Sequence, residues 1–313
     1  MNRAVEIGEI TSNKDFSNGS SLTVGFFDGV HRGHQVILSR TLENARLFGV
    51  PSIALTFDIR PKNVIGDFEI AKLINTFDEK VSLIYGFGID LVSYVKFNPE
   101  FAGMPAEDFC EMVLRSKFNP RAITIGSDFR FGYRALGDHK FIKKFFGEFD
   151  IKVDVVDLLA IDGVTVSSTL IRNMIRSGNV SEAARFMGRS FSLYGMVVRG
   201  SGRGKKIGFP TLNLRPEPYL ILPKDGVYAV IVELARKRLK GVLNIGVRPT
   251  FGESKRVIEV HIIDDGHQEA HQKFDVQFMD RLRDEIKFDS RELLTEQIKR
   301  DIMKTGEVLS GCL

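Results

Sequence analysis

The sequence predicts two unlike domains: a doubly wound parallel α/β sheet, then an antiparallel β-barrel or sandwich closed by one helix. Two observations carry this expectation. From Leu22 to about Arg176, strand-like and helix-like stretches alternate, the pattern of a parallel sheet covered by crossover helices. After Gly188 the alternation gives way to short β-type runs separated by turn residues, with one helical stretch at the end. The 313 residues suit two domains of roughly 150 residues, each large enough for its own core.

In the first half, the apolar run Leu22, Val24 and Phe26 reads as a strand, followed by glycines at Gly25, Gly29 and Gly33 and an amphipathic helix over Val36–Leu47. Pro51–Phe57, Ile89–Val95, Ala122–Ile125 and Ile151–Val156 fit short buried strands. Asp78–Tyr85, Met104–Phe118 and Lys140–Phe149 carry helical spacing between them. In the second half, Phe191–Val198, Gly226–Leu234, Gly241–Ile245 and Val257–Ile263 read as strands and Ser290–Met303 as a helix. Ser177–Arg189 is the expected junction.

Composition excludes several classes. A net charge of +4 is small for this length, and a general electrostatic nucleic-acid binder shows a stronger basic bias. The two cysteines, Cys110 and Cys312, make neither a disulfide framework nor a zinc motif. Met1–Phe16 carries Glu6, Glu9, Lys14 and Asp15, which is no signal-peptide core, and no apolar run approaches the ~18 residues of a membrane span. The cytoplasm is the expected location, with neither a nucleic acid nor a membrane as partner.

The stretch Thr23–His34, TVGFFDGVHRGH, places a glycine-bearing turn between a strand and a helix. In open α/β sheets that position lies where ligands bind, and the helix start offers unpaired N–H groups and partial positive charge to a phosphate. His31 and His34 sit at that end as hydrogen-bond donors, while Gly29 and Gly33 let the backbone approach closely. Gly126–Gly132, GSDFRFG, also follows a strand; Asp128 is a candidate acceptor there, and Phe129 or Phe131 a candidate ring partner. In Val166–Arg172, VSSTLIR, the hydroxyls of Ser167, Ser168 and Thr169 open a helix and by themselves read as caps.

The loop Arg199–Asn213, RGSGRGKKIGFPTLN, holds Gly200, Gly202 and Gly204 with Arg203, Lys205 and Lys206. Glycines of this kind let backbone N–H groups converge on an anion, although a solvated basic turn is the usual fate of such a run. Thr211 and Asn213 put two oxygens on one side of an extended segment, and oxygen ligands beside phosphate suit Mg²⁺.

These stretches together resemble known families. G-F-F-D-G-V-H-R-G-H is similar to the H-x-G-H nucleotidylyltransferase superfamily, in particular its FAD synthetase branch, as are GSDFRFG and the S-S-T-x-x-R of VSSTLIR. G-x-G-x-x-x-G-F-P-T-x-N is similar to riboflavin kinase, followed in order by Val242–Thr250 (VLNIGVRPT) and Ile258–Asp264 (IEVHIID). Asp280–Ser290 and Asp301 match that family's C-terminal helical part. From about Leu22 to Asp301 the chain therefore resembles the bacterial bifunctional riboflavin kinase/FAD synthetase family.

The resemblance implies an FMN adenylyltransferase domain over residues 1–185 and a riboflavin kinase domain over 186–313. Riboflavin and ATP would give FMN and ADP; FMN and a second ATP would give FAD and pyrophosphate, with Mg²⁺ in both steps. It implies His31 and His34 at the α-phosphate, and Arg172 with Ser168 and Thr169 on the departing pyrophosphate. Gly25, Phe27, Asp28, Gly29, Gly33 and Asp128 would surround the nucleotide and flavin. Gly202, Lys206, Gly208, Pro210, Thr211 and Asn213 would line the kinase site, with Thr211 and Asn213 handling Mg²⁺ and Glu259 activating the ribityl hydroxyl. Two departures stand out. Ile59 and Arg60 replace a proline and a histidine of the family's T-F-x-P-H-P, and Asp264 is followed by Asp265-Gly266-His267 without the usual Tyr-Gly. One live module with the other as scaffold, or a non-catalytic flavin-binding regulator, is the alternative reading.

Overall fold

The computed structural model describes residues 3–10, 16–59, 72–198, 202–234, 237–250, 253–263 and 273–312. Arg60, Asp264 and Asp265 lie outside these. By internal contacts the chain forms two compact units, residues 1–71 with 75–168, and residues 72–74 with 169–313.

The first unit is built on a parallel sheet of β1 (Val5–Glu6), β2 (Ser20–Val24), β3 (Ser52–Phe57), β4 (Leu91–Val95), β5 (Pro120–Gly126) and β6 (Lys152–Val156). Its strands run in the order β1-β4-β3-β2-β5-β6. Every residue of β2 and β3 is buried, as expected for central parallel strands covered on both faces. Leu22, Val24, Ile53, Leu55, Ile123 and Ile125 point to one apolar core; Ala54 and Val92 point to another, with Leu38, Val81 and Ile84. The sheet is therefore doubly wound, as its alternating pattern requires.

Helix α1 (Arg32–Phe48) starts four residues before the amphipathic stretch, because its first turn is the polar R-G-H-Q of the motif itself. It ends at Gly49 in the left-handed conformation. Helix α2 (Phe77–Gly86) opens with a reciprocal cap: Thr76 N–H donates to Glu79 Oε2 at 2.7 Å and Glu79 N–H to Thr76 Oγ1 at 3.2 Å. Residues 106–118 form one helix, α3, interrupted by a π-helical stretch over Phe109–Arg115. α4 (His139–Gly147) follows, and the hairpin β7 (Ala160–Ile161) with β8 (Val164–Thr165) leads out of the sheet.

In the second unit, β9 (Phe191–Val198), β10 (Leu212–Pro216), β11 (Gly226–Leu234), β12 (Lys237–Thr250), β13 (Glu253–Ile262) and β14 (Lys273–Arg283) close a barrel in the order β10-β13-β12-β11-β14-β9. A barrel rather than a sandwich results because β10 and β14 both pair with β9. β12 spans Lys237–Thr250, well beyond the expected Gly241–Ile245. One sequence expectation is corrected: Asp280–Ser290 is not helical, since Asp280–Arg283 is the end of β14 and residues 284–290 are irregular up to the last helix. Phe274, Val276 and Phe278 of that strand are buried at alternate positions.

Helix α5 (Ser168–Ser177) precedes the expected junction and α6 (Val180–Met187) lies within it; from Thr169 onward both belong by packing to the barrel unit. Ala183, Phe186 and Met187 are buried, and Arg281 of β14 lies so close to Gly178 that a Cβ there would meet its Cδ at 2.6 Å. Residues 72–74, distant in sequence, also join this unit: Leu73 N–H donates to Tyr219 O, and Ile221 N–H to Leu73 O, both at 2.8 Å. The last helix, α7 (Arg291–Val308), is capped by Ser290 and tied to β14 by the buried Asp301, whose carboxylate receives Arg283 Nη2 at 2.7 Å and Nε at 3.0 Å.

Candidate active sites

In the sheet unit, β2 lies between β3 and β5, where the strand order reverses. A crevice opens outside the carboxyl ends of the strands at such a switch point. The H-x-G-H turn leaves the end of β2, and GSDFRFG leaves the end of β5. The two stretches picked out by sequence thus leave neighbouring parallel strands at the same carboxyl edge.

The turn from β2 into α1 is strained and specific. Phe27 and Val30 adopt positive φ (55° and 38°), with Gly29 between them at 83°. Positive φ suits glycine but costs a branched or bulky residue ~1–2 kcal/mol. What holds it is burial: Phe27, Asp28, Val30 and His31 are all buried. Phe27 is only 1% exposed, so its ring packs in the core and meets His34 edge-on, with centroids 5.3 Å apart. Gly25 donates its N–H to Leu55 O, extending the ladder to the edge of the crevice.

His31 is the N-cap of α1, and its Nδ1 accepts the backbone N–H of His34 at 3.3 Å. An accepting Nδ1 leaves the proton of a neutral imidazole on Nε2. A Cβ on Gly33 would lie 3.3 Å from the His31 ring, so glycine lets the imidazole fold back over the helix start. The His31 and His34 rings stack, with centroids 3.6 Å apart. His34 is held well below the usual imidazole range, by burial first and then by the charges of His31 and Lys80. It is therefore neutral near pH 7, with a buried Nδ1 that lacks a hydrogen-bond partner among the described residues.

Ser168 Oγ donates to the carbonyl of Asp28 at 3.0 Å, so this hydroxyl braces the H-x-G-H turn. Asp128 and Thr169 are exposed, whereas Arg172 is buried and donates from Nη2 to Thr169 Oγ1 at 3.1 Å. Phe129 is half-buried and stacks on Phe131, which is itself buried in the core. Only Phe129 of that pair presents a face to the surface.

The barrel site is a cross-strand row. Asn213 of β10 is directly opposite Glu259 of β13, which is directly opposite Asn244 of β12. Opposed residues of an antiparallel pair share one face of the sheet. Thr211 precedes Asn213 by two positions, at the end of the glycine-rich loop. In that loop Gly202 and Gly208 are exposed and Arg203–Lys206 form one helical turn that includes Lys206. His261, two positions beyond Glu259, bonds through Nδ1 to the Pro210 carbonyl at 2.8 Å and meets the Phe209 ring edge-on. The loop is thereby fastened to the strand that carries Glu259. Among the described residues no cluster of three His, Cys, Asp or Glu is arranged to hold a metal. Thr211, Asn213 and Glu259 offer the neutral and anionic oxygens that Mg²⁺ takes together with substrate phosphates.

Sequence reasoning missed Lys80, Asn244 and the His261 clamp. Lys80 had a signal: it falls on the apolar face of α2 with Phe77, Val81 and Ile84, where a lysine is out of place.

A parallel-sheet nucleotidylyltransferase-like domain followed by a closed barrel that sets one carboxylate, Glu259, between two asparagines is the architecture of a two-domain, nucleotide-dependent transferase. The FAD synthetase family matches residues 13–170 and the riboflavin kinase family residues 187–309. A bifunctional riboflavin kinase/FMN adenylyltransferase from Buchnera aphidicola (subsp. Schizaphis graminum) is 32% identical, covering 92% of this chain and 94% of its own. The Haemophilus influenzae protein of that description is 32% identical, over 91% of this chain and 92% of its own. A solved structure described as a macrolide-efflux protein from Streptococcus pneumoniae superimposes with a TM-score of 0.85 at 31% identity, covering 92% of this chain and 94% of its own. Among the described residues no helix is long and apolar enough to cross a membrane. The chain belongs to the bifunctional riboflavin kinase/FMN adenylyltransferase family.

Proposed function

We propose that this chain carries out both steps of flavin cofactor synthesis, each at its own site, with residues 1–185 as the adenylyltransferase and 186–313 as the kinase. Riboflavin and ATP give FMN and ADP; FMN and ATP then give FAD and pyrophosphate. The observation that carries the reading is the presence, end to end in one chain, of both family matches.

In the kinase, Glu259 accepts the proton of the terminal ribityl hydroxyl while its oxygen attacks the γ-phosphorus of ATP and ADP departs. Gly202, Lys206, Gly208 and Pro210 form the loop over the phosphates. Thr211 and Asn213 are the groups that would hold Mg²⁺, which supplies charge screening on the phosphates when bound. In the adenylyltransferase, a phosphate oxygen of FMN attacks the α-phosphorus of ATP and pyrophosphate leaves. His31 donates from Nε2 to the α-phosphate, the tautomer being set by the cap it makes through Nδ1. His34 adds a second neutral donor. Arg172, Ser168 and Thr169 take the leaving pyrophosphate; Gly25, Asp28, Gly29, Gly33 and Asp128 surround the nucleotide and flavin. Phe27 contributes by packing against His34. The cytoplasm, where ATP is abundant, is the proposed location.

Incubation with riboflavin, Mg²⁺ and ATP, followed by chromatography of the flavins, tests this. FAD and FMN are the expected products. FMN alone leaves only the kinase, and unchanged riboflavin overturns the reading in favour of a binding protein.

A further inference from the structure

We propose that Lys80 is a positioning residue of the adenylyl-transfer site: its ammonium ties together the carboxyl ends of β2 and β3 and so fixes the strained turn that presents His31 and His34. The inference rests on the assignment of these histidines to adenylyl transfer.

Lys80 is 4% exposed, on the face of α2 turned to the sheet. Its Nζ donates to Phe57 O, at the end of β3, at 2.7 Å and to Phe26 O, just past the end of β2, at 3.2 Å. It lies 4.4 Å from the centre of the Phe26 ring and 5.3 Å from that of Phe77. The Phe26 carbonyl belongs to the peptide that enters Phe27, the first residue of positive φ. Strained backbone of this kind persists only where its surroundings over-determine it. Thr56 Oγ1 donates to the same carbonyl at 3.2 Å, and Ser168 braces the next residue but one. Lys80 is the charged member of this set.

The charged and titratable groups facing it are Asp28, from the turn after β2, Asp58, from the segment after β3, and His34, from α1. Burial pulls the lysine down to about 7, while Asp28 and Asp58 favour its charged form. A lysine placed here helps keep His34 neutral, the form in which one ring nitrogen can still accept. Geometry and charge thus act on the same two residues, the turn and His34. A carbonyl clamp needs only a donor, whereas this position also places a cation within reach of His34.

The test uses the full-length chain with Lys80→Met, which keeps length and apolar packing, and Lys80→Arg, which keeps the charge. FAD formation from supplied FMN is followed together with FMN formation from riboflavin, and the His34 ring is titrated by NMR, assigned against His34→Gln. In Lys80→Met, kcat for FAD formation should fall about 10–100-fold, the size of effect expected when reacting groups shift slightly. FMN formation should hold, and the His34 midpoint should rise because one neighbouring positive charge is gone. Lys80→Arg should recover part of the rate and keep the parental His34 midpoint. A folded Lys80→Met chain with parental kcat overturns the proposal. So does a loss of rate with an unmoved His34 midpoint and no recovery in Lys80→Arg, which makes Lys80 a scaffold residue only. If His31→Ala also makes FAD normally, the assignment of the site fails, not merely that of Lys80.

Discussion

The rings of His31 and His34 lie face to face, with centroids 3.6 Å apart and planes 16° apart, at the first turn of the helix that follows the central strand. Two imidazoles at that separation repel if both are charged, so the stack favours a pair with at most one proton beyond neutrality. Burial of His34 acts in the same direction. With His34 neutral, the stack offers oriented N–H donors to a phosphate while carrying at most one added charge.

From this arrangement, His31→Ala or His34→Ala is expected to lower FAD formation by about 10²–10³-fold, the usual cost of losing a preorganised donor. FMN formation should be unaffected. Because His31 also caps α1, its loss costs ~0.5–2 kcal/mol of stability as well. His31→Asn restores a cap without the distal donor and should remain inactive for FAD. Normal FAD synthesis by a folded His31→Asn chain refutes the donor role.

Arg172→Ala is expected to weaken ATP use in the adenylyl step, with Arg172→Lys recovering only part. A guanidinium fork binds phosphate oxygens in pairs and a single ammonium does not. Steady-state rates at varied ATP, with FMN supplied, measure this. Parental affinity and turnover in Arg172→Ala would leave the residue as a helix-start brace for Thr169.

Glu259→Gln keeps the cross-strand neighbours Asn213 and Asn244 and removes the proton acceptor. FMN formation should fall about 10²–10⁴-fold, as on loss of a general base, while FAD formation from supplied FMN is retained. The melting temperature has to stay near the parent's for the comparison to count. A folded variant making FMN at the parental rate removes Glu259 from the chemistry.

Lys80 gives a pH dependence of stability with a definite sign. Its folded value, about 7, lies below its ordinary 10.5. Between those values the unfolded chain holds a proton that the folded chain lacks, so this contribution makes stability rise with pH across the window. Below about pH 7 both states are protonated, the slope vanishes and the full cost of burying the charge is present. Urea unfolding of the sheet unit at pH 7, 8 and 9 should show the parent gaining stability relative to Lys80→Met. A parent that loses stability relative to Lys80→Met over that range contradicts the buried charge.

A fragment carrying residues 168–313 is expected to fold and phosphorylate riboflavin, whereas one starting at Glu182 should be markedly less stable. The later start removes α5 and splits α6, whose Ala183, Phe186 and Met187 are buried in the barrel unit. Thermal unfolding and FMN formation by both fragments decide it. Equal stability would place the packing boundary nearer Glu182.

The sequence by itself determined the alternation that becomes the parallel sheet, the change of period near Gly188, and the strand–turn–helix context of the H-x-G-H stretch. These are local: the buried strands β2 and β3 carry only apolar side chains and small hydroxyls, with no charge, and glycines mark the turns where they must. It also carried signals that went unread, such as the Thr76–Glu79 cap and the alternation of Phe274, Val276 and Phe278. Only the tertiary structure decided that β9 closes the barrel, that Leu73 pairs beside Leu220, and that Asn213 and Asn244 flank Glu259. Each depends on register between segments far apart in the chain, which no local periodicity encodes. For Lys80 the helical spacing marks a lysine on an apolar face, but only the fold sets its ammonium against the carbonyls of Phe26 and Phe57. Burial and neighbouring charge then give it properties that its residue type alone does not.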